Sequence, residues 1–195
     1  MTSFRWLHLS DFHLGMKRHA DLWPNMEAAF FDDLSATLKD SDSLDLVLFT
    51  GDLVQKGDAL EYQELEIWLQ KLWDRFSNLN PPRLLAIPGN HDLLRPATTG
   101  AVSLALRHNW SRNEVHNTFW NDPDSEYRKL VDHAFANYLT WWQTTKIPKP
   151  EQFVPGLLPG DFSASIKKDQ YQLGIIGLKV PSVTLRTKML RKILA

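Results

Sequence analysis

Blocks of apolar residues, each closed by a polar cluster, divide the first half of the chain. Phe4 to Leu9 is short, rich in large apolar residues, and stops at Ser10-Asp11, which predicts a strand. Met26, Ala29, Phe30, Leu34 and Leu38 recur at three-to-four-residue spacing, predicting a helix from Pro24 to about Lys39. Leu44 to Thr50 is apolar enough to predict a strand buried on both faces. Leu65, Trp68, Leu69, Leu72, Trp73 and Phe76 give a second helix, from Asp58 to about Phe76, a wide apolar stripe, and Pro81-Pro82 prevents continuation. Arg83 to Ile87 predicts a third strand, ending at Pro88-Gly89. The order βαβαβ implies right-handed crossovers and a parallel sheet. From Arg95 to Pro150 strand patterns are absent and four tryptophans appear, at 110, 120, 141 and 142. That region reads as a helical insertion or cap, with one helix over Tyr127 to Thr144. Phe162 to Lys167 and Tyr171 to Leu178 predict two further strands joined by a short turn near Asp169.

Composition narrows the class. A chain of 195 residues with 43% hydrophobic and 23% charged residues suits one folded domain rather than a disordered segment. No apolar run approaches the roughly 20 residues of a membrane span. The first residues lack the basic stretch and long apolar core of a signal peptide, so the expected compartment is the cytoplasm. The absence of cysteine excludes disulfide frameworks, thiolate metal sites and cysteine nucleophiles. The net charge of −1 makes no global case for nucleic acid. Five of the 22 Lys and Arg side chains, and none of the 23 acids, fall in residues 179–195, leaving 1–178 at −6. The expected organisation is a domain over 1–178, with its helical insertion at about 95–150, and a basic tail over 179–195.

Parallel sheets bind ligands outside the carboxyl ends of their strands. Here each of the first three strands ends in polar chemistry: Asp11 and His13, then Gly51-Asp52, then Gly89-Asn90-His91-Asp92. In extended backbone, Asp11 and His13 share one side. Each piece alone is an ordinary cap or turn. Three such pieces on one edge of one sheet form a convergent cluster.

SDFH (10–13), GDLV (51–54) and GNHD (89–92) resemble the first three motifs of the calcineurin-like metallophosphoesterases. The resemblance implies an α/β fold, the family's α/β/β/α sandwich, present as its N-terminal part with an incomplete second sheet. It implies two divalent metal ions (Mn, Fe or Zn), with Asp11 and His13 on the first, Asp52 bridging and Asn90 on the second. His91 is implied as the acid facing the leaving-group oxygen, with Asp92 orienting it. The implied activity is hydrolysis of a phosphomonoester or phosphodiester by attack of metal-bound hydroxide.

The family pattern continues with a further histidine and a G-H-x-H. His108, His116 and His133 are the downstream histidines and none sits in such a motif, so surface or internally satisfied positions are expected for them, with a ligand role as the lesser alternative. The alternative function is therefore a catalytically impaired module with a binding or regulatory role, fused to or associated with further domains in a longer form. A nuclease is a third reading, which the acidic body does not support beyond the short basic tail. The basic stretch reads as an abnormal chain ending, as a helix with Leu185, Met189 and Ile193 on one face, as a basic surface helix for nucleic acid or anionic lipid, or as a solvated tail. The tryptophans are expected to pack a core rather than stack bases, since no basic run accompanies them.

Overall fold

The computed structural model describes residues 3–16, 23–38, 44–76, 80–95 and 100–179. The elements begin with β1 (Trp6–Leu9), α1 (Trp23–Leu38), β2 (Leu46–Thr50), α2 (Ala59–Asp74) and β3 (Arg83–Ile87). Next come α3 (Ala101–His108), α4 (Asn113–Asn121), α5 (Glu126–Ala134) and α6 (Ala136–Thr144). Three strands follow, β4 (Gln152–Pro155), β5 (Phe162–Lys168) and β6 (Tyr171–Gly177).

The strands β1, β2 and β3 form a parallel sheet in that order, with Leu48 facing His8 on one side and Leu85 on the other. Side chains alternate between faces along a strand. One face of this sheet therefore carries Val47, Phe49, Leu84 and Ala86, which join the main core with Phe31 and Leu34 of α1 and Leu65, Leu69 and Leu72 of α2. The other face carries Leu46 and Leu85, which pack on Phe162 and Ala164 of β5. The second sheet, β4-β5-β6, is antiparallel and lies against that face. The arrangement is a mixed α/β sandwich: helices, a parallel sheet and an antiparallel sheet.

Helix α2 starts where Asp58 caps it, its side chain accepting the Glu61 amide at 2.9 Å. Its end is pinned by Trp73 Nε1, which donates to the Pro82 carbonyl. The helical region packs onto this frame. Glu66 of α2 accepts from Trp141 Nε1, Thr145 Oγ1 and the Lys146 amide. Tyr138 donates to the Ala86 carbonyl of β3. Trp141 and Trp142 are buried and Trp110 and Trp120 pack against the same core, so the tryptophans serve packing as expected.

Three expectations are corrected. The helix expected over Tyr127–Thr144 is two helices, interrupted at Phe135, whose ψ of 13° departs from helical values. That break lets a fully buried Phe135 turn into the core. The strand β4 carries no alternating signal and ends at a proline, which suits only an edge position. Of the basic stretch, Lys179 alone lies within the described residues, and it is buried rather than solvated. The proposed helix around Leu185, Met189 and Ile193 lies outside them.

Candidate metal centre

The three motif loops meet because backbone pairing continues past the ends of β1 and β2. The Asp11 amide donates to Gly51 O at 3.2 Å, His13 N to Asp52 O at 2.8 Å and Leu14 N to Leu53 O at 3.1 Å. A parallel bridge joins Leu14 to Val54. The third loop is tied in by the Asp52 side chain, whose Oδ1 accepts the His91 amide at 2.9 Å. Gly89 makes this approach feasible, since a Cβ there would overlap Asp52 Oδ1.

Asp11, His13 and Asp52 have φ of 54°, 48° and 52°. Among the described residues the one other non-glycine with positive φ is Asp169, in the β5–β6 turn. Left-handed backbone is unfavourable for such residues and persists where the surroundings enforce it, often at functional sites. Here it sets the His13 ring near both Asp11 and Asp52. His13 Nε2 stands 3.9 Å from Asp11 Oδ1 and 3.8 Å from Asp52 Oδ2. These separations exceed hydrogen-bond length and suit groups that share a cation rather than a proton. Oxygen and imidazole donors without thiolate match hard or borderline divalent metals. The residues present therefore fit such ions.

His13, Asp52 and His91 each offer a ligand atom within 4.8 Å of the others. His13 and His91 meet edge to face, ring centroids 4.6 Å apart. Asp11 is exposed, with Ser10 Oγ donating to its Oδ2 at 2.6 Å. Asn90 is half-buried between Gly89 and His91. His108, His116 and His133 are exposed on α3, α4 and α5, and none joins the His13–Asp52–His91 group.

The orientation of His91 differs from expectation. Its Nδ1 lies 2.9 Å from the Gln55 carbonyl. A carbonyl only accepts, so Nδ1 carries a proton and Nε2 is the nitrogen left for chemistry. Asp92 is turned elsewhere. Its fully buried carboxylate accepts the amides of Leu53 (3.1 Å), Val54 (2.9 Å) and Gly89 (2.6 Å). Burial pushes the Asp92 carboxyl up to about 6, although the three amides pull it back. Asp92 thus holds two motif loops together and does not orient His91. Gln55 was not legible as a site residue, because its contribution is a main-chain carbonyl that no side-chain pattern marks.

Behind this centre Lys179 Nζ is buried against the Phe135 ring, 2.9 Å from its centroid, with no hydrogen-bond partner among the described residues. Burial lowers its pKa to about 7, while Asp92, Asp161 and Asp52 raise it. An unfolded chain holds the lysine proton up to about 10.5, so it binds more protons than the folded chain between those values. Stability is then expected to rise with pH across this window, by up to about 1.4 kcal/mol per unit. In Lys179→Met, urea unfolding at pH 7.5 and 9.5 should give nearly equal stabilities. A variant that keeps the wild-type slope would show that another group carries it.

Ligand groups at the carboxyl ends of parallel strands, backed by a second sheet, define the class: an α/β protein with a candidate metal centre on its sheet edge. The chain belongs to the calcineurin-like phosphoesterase family, whose model matches residues 4–175. No curated protein matches it. No helix among the described residues is long and apolar enough to cross a membrane.

Proposed function

We propose that this chain is a metal-dependent phosphoesterase that hydrolyses a phosphomonoester or phosphodiester. The observation that carries the reading is the grouping of His13, Asp52 and His91 within 4.8 Å at the sheet edge, with Asp11 Oδ1 3.9 Å from His13 Nε2. Asp11 and His13 would hold one cation, Asp52 would serve both, and Asn90 would hold the second. Divalent cations in such a pair lower the pKa of water and neutralise charge developing on phosphoryl oxygens. The chain's own residues do the rest. Asp52 Oδ1 fixes the His91 main chain, and the Gln55 carbonyl fixes its ring. As imidazolium, His91 would donate its Nε2 proton to the leaving-group oxygen.

The test is hydrolysis of bis-p-nitrophenyl phosphate by the purified chain with added Mn²⁺ and after chelation. Turnover that appears with metal and vanishes with chelator supports the reading. No turnover in a folded chain favours the second reading, a module that binds without turning over, to which the exposed positions of His108, His116 and His133 lend support.

The roles of His91 and the metal ligands are separable. His91→Ala should lower kcat by about 10²–10⁴-fold, the range for loss of a positioned acid. Bound metal, measured by mass spectrometry, should stay close to wild type. Loss of metal in that variant would instead make His91 a ligand, in line with its place in the three-residue group.

A further inference from the structure

The peptide group between Gln55 and Lys56 is held at both ends. Its carbonyl accepts from His91 Nδ1 at 2.9 Å, and its N–H donates to Glu61 Oε2 at 2.7 Å. A carboxylate and the imidazole are therefore joined through a single peptide unit. Glu61 is only 7% exposed. It is fixed from two sides. Asp58 Oδ1 accepts its amide, which sets where the side chain leaves α2. Gly15, two residues after His13 and at φ +92°, lets the carboxylate lie flat against the first motif loop. A Cβ at Gly15 would stand 2.8 Å from Glu61 Oε1.

We propose that Glu61 is a positioning residue for His91, acting through the Gln55–Lys56 peptide group. The inference rests on the phosphoesterase reading for its catalytic consequence, but not for its geometry. Hydrogen bonds in a chain polarise one another. A carboxylate on the Lys56 N–H draws the amide towards its charge-separated form and makes the Gln55 carbonyl a stronger acceptor. That carbonyl then keeps the proton on Nδ1 and aims Nε2 at the site. Carboxylates that hold a histidine directly set its tautomer and orientation in the same way. Here one amide stands between the two groups.

A plain helix-capping role for Glu61 makes different predictions, and two variants separate them. Glu61→Gln keeps an oxygen for the Lys56 N–H but removes the charge. Glu61→Ala removes both. In the metal-free, ¹⁵N-labelled 195-residue chain, wild type should give a downfield His91 Nδ1–H resonance. It should move upfield in Glu61→Gln and disappear through exchange in Glu61→Ala. Asp58→Ala, which removes the cap and one of the two restraints on Glu61 but keeps its carboxylate, should lower the melting temperature and shift that resonance less than Glu61→Ala does.

The kinetic arm compares bis-p-nitrophenyl phosphate with diphenyl phosphate, whose leaving group is the poorer one and needs the acid more. Glu61→Ala should lower kcat by about 10–100-fold, the usual size for a residue that orients a functional histidine. KM and bound metal should be nearly unchanged, the loss should be larger for diphenyl phosphate, and Glu61→Gln should recover most of it. An unmoved Nδ1–H resonance in Glu61→Gln and Glu61→Ala, or equal losses on both esters, would overturn the proposal and leave Glu61 as a cap. If wild type hydrolyses neither ester, the phosphoesterase reading fails, and the resonance still decides whether the relay exists.

Discussion

Asp52→Asn should abolish metal-dependent turnover. The two carboxylate oxygens of Asp52 have separate duties: Oδ1 accepts the His91 amide and Oδ2 faces His13 Nε2 at 3.8 Å. Asparagine keeps an oxygen for the His91 amide, so the third loop stays in place. It loses the negative charge that the proposed role between two cations requires. Losing even a partner of a metal ligand commonly costs about 10–100-fold, so loss of a shared ligand should exceed about 100-fold in kcat/KM. Bound metal should fall as well, while the circular dichroism spectrum should not change. Turnover and metal content close to wild type would remove Asp52 from the centre.

Asp92→Ala should be the most destabilising single change at the site. The carboxylate is fully buried and satisfies three amides, those of Leu53, Val54 and Gly89. Alanine leaves all three unpaired in the interior, where each orphaned donor costs about 1–3 kcal/mol. Partial relaxation brings the expected loss to about 3–5 kcal/mol, a large part of a typical domain's stability. Urea unfolding at pH 7.5, where the carboxyl is ionised, measures it. Asp92→Asn retains one acceptor oxygen and should lose less. A loss below about 1 kcal/mol in Asp92→Ala would mean that water or another group satisfies the amides. The same variant tests the division of labour between neighbours: Asp92 acts on stability, His91 on turnover.

Much of this architecture was legible along the chain. The third strand begins and ends at the residues expected, Arg83 and Ile87, and β2 and α2 fall within two residues of expectation. The apolar spacing that marks them reports burial directly, because residues sharing a face share an environment. The three motif loops and the crossovers of α1 and α2 follow from the same alternation. The short strand β4 had no such pattern, having only four residues and an exposed edge. Nor could spacing place the break at Phe135, which follows from packing a large ring into the core.

By itself the sequence determined which chemistry is present and on which strand ends it stands: Asp11 and His13, Asp52, then Asn90, His91 and Asp92. That is local information, carried by residue type and by position relative to an apolar run. Tertiary structure alone decided who touches whom across those loops. It turned Asp92 onto three backbone amides, gave His91 Nδ1 to the Gln55 carbonyl, set Glu61 behind that peptide group and buried Lys179 against Phe135. Such pairings depend on where separate loops cross once the sheets are packed, and hydrogen bonds are satisfied by whichever partner stands within about 3 Å. Neighbours in sequence, such as His91 and Asp92, can therefore serve different ends.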